Sequence, residues 1–224
     1  PYASARSNTT AHKGIVMANG PGQFAAGSAA LGFLYQCRYA LLASLRRLGR
    51  QDDFQISLET LDDVTFESDA GPIELLQTKH HLNRTANLNN ASPDLWKTIR
   101  VWAHHLASDT LSDDTRLFLI TTGIAPAGSA ASYLRPNTRQ TEDALALLEH
   151  TAKTSTSTTN QAAYTAFQAL DPQQKLFLVR RIDIIDSAPD INNVDADLFE
   201  AIFPAVRKEH YEEFRLRLEG WWIH

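Results

Sequence analysis

Residues 56–81, ISLETLDDVTFESDAGPIELLQTKHH, gather the side chains best suited to chemistry. They hold Glu59, Asp62 and Asp63 upstream, and Gln77 and Lys79 downstream. Side chains two apart on a strand share a face. Ile56, Leu58, Val64 and Phe66 make an apolar set, and Glu59, Asp63, Thr65 and Glu67 a polar one. Gln77 and Lys79 share a face with Leu75 and His81, leaving Leu76, Thr78 and His80 on the other. With continuous register, Glu59 and Asp63 project together. A bulge between the strands would exchange the parities and put Asp62 in place of Asp63. This set suits phosphodiester hydrolysis. A hard cation such as Mg²⁺, or Mn²⁺, needs only one or two carboxylates. It polarises a phosphate and acidifies a bound water. A lysine offsets developing charge, and Gln77 offers an amide oxygen.

These residues need a hairpin to meet. Asp69-Ala70-Gly71-Pro72 is a turn by composition, and it joins the second and third strands of the stretch. Ahead of it, residues 1–27 read as a flexible Ser-, Asn- and Gly-rich arm. Ser28 is placed to cap a helix over about 29–48, with Leu31, Leu34, Leu41, Leu45 and Leu48 as its apolar stripe and Gly49 as its end. Behind it, Ser92 and Pro93 open a helix that runs to about Ala107. Leu95, Ile99, Trp102 and Leu106 form its buried face, and Trp96 borders that face. Between Lys79 and His105 stand four Lys/Arg and four His against one acid, Asp94. That is the cationic surface of a chain whose net charge is -5. His81, Arg84, Lys97 and Arg100 are therefore the candidates for phosphate contact. The pairs His80-His81 and His104-His105 lack the supporting spacing of a zinc site.

Arg116–Thr122 reads as a buried strand, 123–136 as loop, and 142–151, 161–169 and 173–178 as helices. A returning strand over 179–185 precedes helices at 195–206 and 209–222. The terminal pair Trp221-Trp222 either packs back or leads into further chain. At 224 residues, 43% hydrophobic and 21% charged, the chain has the composition of a soluble globular protein. One cysteine, Cys37, leaves no internal disulfide and fits a cytoplasmic setting. No stretch reads as membrane-spanning. The chain starts at Pro1, so residues 1–16 are read as either foreign or cut from a longer protein.

Asp63, a hairpin and Gln77-x-Lys79 together resemble the PD-(D/E)xK restriction-endonuclease-like superfamily, in its Mrr-like variant with Gln for the acid. GFLYQCRYALL, ETLDDVTFE, LLQTKHH and DLWKTIRVW, in that order, resemble the effector nucleases of CBASS-type and Lamassu-type (ABC three-component) anti-phage defence. RRIDIIDSAPDI and LEGWW resemble the Lamassu-type branch. The resemblance implies an α/β fold: a central mixed sheet flanked by helices over residues 28–224, with a helical insertion at about 137–178. It implies Mg²⁺-dependent cleavage of double-stranded DNA. Asp63 would be the main metal carboxylate, Gln77 the metal-site amide, Lys79 the catalytic lysine and Glu59 a second acid. Gln36 matches the polar residue that the first helix lends to such sites. The implied partners are an SMC-like ATPase, a small subunit and further copies of the chain, with a partner-binding region beyond His224. A second reading is a non-catalytic nucleic-acid-binding module on the same fold, and a third is an oligomerisation module built on the terminal Trp pair.

Overall fold

In the computed structural model, residues 21–48, 54–68, 71–79, 87–191 and 193–223 are described, with side chains from residue 30 onward. A five-stranded mixed sheet is flanked by helices. The strands are β1 (Gln55–Leu58), β2 (Val64–Ser68), β3 (Gly71–Lys79), β4 (Arg116–Thr121) and β5 (Ile182–Ile185), in that spatial order. β1, β2 and β3 form an antiparallel meander; β4 and β5 add in parallel. Parallel pairing needs a crossover. α2 (Pro93–Ala107) supplies the first, and α3 (Ala130–Tyr133), α4 (Thr141–Thr154), α5 (Gln161–Ala169) and α6 (Pro172–Arg181) the second. The sheet is framed in sequence by α1 (Pro21–Leu48), before it, and by α7 (Val194–Ile202) and α8 (Tyr211–Ile223), after it.

The period-2 pattern of the strands sorts their side chains between two apolar clusters. Leu75, Leu117, Leu119, Ile182 and Ile184 join the larger one, with α2, α4, α5 and α6. Val64, Phe66, Leu76 and Ile120 join the other, with Ala40 of α1. Arg47 caps that second side. Its guanidinium lies 4.5 Å from the Phe66 ring centroid, and Nη1 reaches Glu74 Oε2 at 2.7 Å. Gln77 and Lys79 have the parity of Leu75, so they belong to the α2 side.

Several sequence expectations change. α1 begins at Pro21, so Ser28 lies inside the helix and does not cap it. Proline suits a first helical turn, where its missing N–H is not needed. Leu34 and Leu48 are exposed, while Tyr35, Ala40, Leu41 and Leu42 are buried. The helix packs on two neighbours at once, the sheet and α7, and this broadens its apolar stripe. Ser92 sits at the cap of α2, but its side chain makes no capping bond. Trp96 is fully buried because Tyr164 and Phe167 of α5 meet it edge-on, with ring centroids 4.6 and 5.7 Å away. The helices of the 137–178 segment thus contribute to the main core. Val179–Arg181 continue α6, shortening the expected strand; the Asp171 capping box fixes that helix one position earlier than expected. The loop at 123–136 contains α3. Trp222 packs back, its Nε1–H donating to Cys37 O at 2.9 Å, and Trp221 stays 71% exposed.

Candidate active site

The hairpin register sets the site. Leu58 pairs with Val64 and Val64 with Leu76, so the turn at 59–63 lies beside the last residues of β3. Those five residues are a bend outside any strand. Glu59 takes a left-handed conformation with φ of 54°, and its N–H donates to Asp63 O at 3.1 Å, closing the turn. Parity no longer applies across such a turn. Asp62 and Asp63 both reach Gln77, and the expected pairing of Glu59 with Asp63 on one strand face does not form. The Glu59 side chain is exposed and makes no hydrogen bond to Asp62, Asp63, Gln77 or Lys79. Its charge is felt instead at Cys37 on α1, whose thiol is pushed up first by burial and then by Glu59.

Asp63 is the partly open member. Its Oδ2 accepts from Thr78 N–H at 2.7 Å and Thr78 Oγ1 at 3.1 Å, and its Oδ1 from Gln77 Nε2 at 3.1 Å. Lys79 Nζ donates to Gln77 Oε1 at 2.8 Å and stands 3.9 Å from Asp63 Oδ2. Both side chains keep some solvent access, 22% for Lys79 and 13% for Asp63. Asp62, 5% exposed, is enclosed. Gln77 Nε2 and Asp63 N–H donate to its Oδ1, and Trp102 Nε1–H donates to Oδ2 at 2.7 Å. Burial raises its carboxyl above the usual range, and the Gln77 and Trp102 donors oppose that only in part. Sequence reading overlooked Trp102 as a site neighbour. Indole is donor-only, so a buried tryptophan needs an acceptor, but Trp102 is 40 residues from Asp62 and no local signal joins them. His105 was overlooked in the same way: its Nε2 lies 2.7 Å from Leu61 O.

Asp62, Asp63, Gln77 and Lys79 are therefore brought together, and Glu59 is not. Gln36 is half-buried; its Oε1 is enclosed without a hydrogen-bond partner, and no bond joins it to the acid pair. Lys97 and Arg100 are exposed on α2. Arg100 borders a groove of about 710 Å³ that also touches His104, His105 and Leu170. His81 and Arg84 lie outside the described residues.

No described trio of His, Cys, Asp or Glu forms a metal site. A hard cation with substrate phosphate asks for less, one or two carboxylates and a neutral oxygen, and Asp63 meets the carboxylate part of that demand. Asp63 is the residue that would hold Mg²⁺ or Mn²⁺; the expected Gln77 ligand instead turns its Nε2 to the acids and its Oε1 to Lys79. No family model matches the chain, and no curated protein matches it. Among the described residues no helix is long and apolar enough to cross a membrane.

Proposed function

We propose that the chain is a metal-dependent endonuclease of the restriction-endonuclease-like type, cutting double-stranded DNA as an effector of anti-phage defence. The observation that supports this best is the meeting of Asp63, Gln77 and Lys79 at one partly open notch, from the β1–β2 turn and the end of β3. A chance polar hairpin face has no need to converge in this way. Bound there, a divalent cation supplies Lewis-acid polarisation of the scissile phosphate and an acidified water. Asp63 would give the negative charge that holds the cation. Thr78 N–H and Oγ1 hold the Asp63 carboxylate in place. Gln77 spans the acid pair and Lys79, fixing the ammonium beside the notch. Lys79 then offsets charge developing on the phosphate oxygens. Lys97 and Arg100 are proposed to hold the DNA backbone without reading bases. The ATPase, the small subunit and the self-association enter through the sequence resemblance alone.

A second reading, a non-catalytic DNA-binding module, has one specific observation behind it. The Gln77 amide nitrogen, not its oxygen, faces both carboxylates. Plasmid cleavage with Mg²⁺, with EDTA, and with Lys79→Ala separates the two readings. Metal-dependent nicking that is lost in a folded Lys79→Ala protein supports the nuclease. Binding without cleavage by the unaltered protein, or full cutting by Lys79→Ala, rejects the assignment.

A further inference from the structure

The turn at 59–63 carries the acid pair, yet no strand ladder holds it. Its position rests on a few side-chain bonds, and two of them come from α2. Trp102 and His105 are three residues apart, hence on one side of the helix. Trp102 is wholly buried in the main core, and its Nε1–H donates to Asp62 Oδ2 at 2.7 Å. His105 reaches the preceding residue: Nε2 lies 2.7 Å from Leu61 O. A carbonyl only accepts, so Nε2 carries the hydrogen. Thr110 Oγ1 donates to His105 O at 3.0 Å and lies 3.1 Å from the ring's other nitrogen. Asp62 passes this anchorage on, since its Oδ1 accepts from Gln77 Nε2 and from Asp63 N–H. With its Nε2 on Asp62, Gln77 turns its Oε1 to Lys79 Nζ.

We propose that Trp102 and His105 are positioning residues: α2 grips Leu61 and Asp62, and through them sets the mutual placement of Asp63, Gln77 and Lys79. Neither side chain bonds Asp63, Gln77 or Lys79 directly, so both act through Asp62 and the turn backbone. This role rests on the nuclease reading, under which a misplacement of about 1 Å costs on the order of 100-fold in rate. It also separates the two aspartates. Asp63 faces the notch, and Asp62 is the tether between the helix and the hairpin.

The test uses His105→Ala, His105→Gln and Trp102→Phe in the full chain. Glutamine keeps an N–H within reach of Leu61 O, and phenylalanine removes only the indole donor and part of the ring. His105→Ala is expected to lower kcat for a DNA duplex by roughly 10- to 100-fold, the range seen when outer partners of a site are removed. KM for DNA should stay within about twofold, because no DNA contact is lost. His105→Gln should recover most of the rate. Trp102→Phe should weaken Mn²⁺ binding in calorimetry by about tenfold. In parallel, hydrogen exchange at the Glu59 and Thr78 amides, which donate to Asp63, should quicken in His105→Ala and not in His105→Gln. Thr110→Val gives a milder loosening if Trp102→Phe fails to fold. Equal impairment of Ala and Gln at 105, or unchanged exchange at both amides, overturns the positioning role. An unaltered protein that neither cuts DNA nor binds Mn²⁺ overturns the nuclease reading instead, and the exchange measurement still decides whether α2 holds the turn.

Discussion

Asp63→Asn keeps the shape of the side chain and replaces one acceptor oxygen by a donor. Three hydrogen bonds converge on that carboxylate: Thr78 N–H and Oγ1 on Oδ2, and Gln77 Nε2 on Oδ1. The new NH₂ must face one of these two sides. On the Thr78 side it meets a backbone N–H at 2.7 Å, which has no freedom to turn. On the Gln77 side it meets an amide nitrogen pinned by Asp62. The Gln77 side is the cheaper choice, since the lost bond there is the longer, at 3.1 Å. A charge-assisted bond contributes about 1.5–3 kcal/mol, and the two that survive weaken once the charge is gone. Relief of repulsion between neighbouring carboxylates returns part of this. The net loss should be about 2 kcal/mol, a fall in Tm of roughly 4–8 °C for a chain of this size. Thermal unfolding in EDTA measures it without any contribution from metal, and Mn²⁺ titration of the same variant should show weaker binding. Many metal-site carboxylates are poorly satisfied without their ion, and neutralising one of those stabilises the protein. A raised Tm for Asp63→Asn would therefore refute the hydrogen-bonded arrangement of this site.

Lys97→Ala combined with Arg100→Ala should weaken DNA binding equally across sequences and reduce the slope of log K against log salt by about 2, near 0.9 for each phosphate contact; a sequence-selective loss would mean that these residues read bases. Burial alone would raise the Asp186 carboxyl, but Arg135 Nε and Nη2, at 2.8 and 2.6 Å, and Ala125 N–H hold it below the usual range. Arg135→Met should cost about 1–3 kcal/mol at neutral pH. Because the folded-state value is depressed, this stabilisation is present above about pH 3.9 and is lost as pH falls through the folded value. The gap between the two proteins in urea unfolding should narrow in that window, and a gap that widens there would contradict the ion pair. Cleavage per molecule should fall steeply on hundredfold dilution if only an assembled form is competent; a flat rate from a protein shown to be monomeric throughout would exclude control by assembly.

The sequence made the hairpin and its lysine strand legible because period-2 burial and a Gly-Pro turn are local signals. Val64, Phe66 and Leu76 fall on one apolar side and Gln77 and Lys79 on the other for that reason. What failed at Glu59 is equally local: five residues of bend break the alternation, so parity could not distinguish Asp62 from Asp63. Their difference is tertiary. It depends on Trp102, 40 residues from Asp62, reaching one carboxylate and not the other. Trp96 was assigned to the border of its helix because the apolar stripe of α2 has a second wall. Only the packing of Tyr164 and Phe167 supplies that wall. The start of α1 was missed because glycines and prolines weigh against helix in isolation, although proline is at home in a first turn.

One flank of α1 is finished by segments more than 150 residues later in the chain. Tyr35 donates to Pro189 O at 3.0 Å, and Arg38 donates to Ile191 O and to Glu219, 181 residues away. Tyr35, Leu41 and Leu42 are closed over by Val194 and Leu198. During synthesis the meander and the crossover helices emerge long before these partners, so one flank of α1 stays uncovered until α7 and α8 have been made. Such long-range closure slows folding, because the entropy of joining the ends comes before the contacts that reward it. A chain stopped near residue 190 would retain every residue of the notch and lack the cover on its first helix. Aggregation of that truncated chain, rather than loss of chemistry, is then the expected route to inactivity.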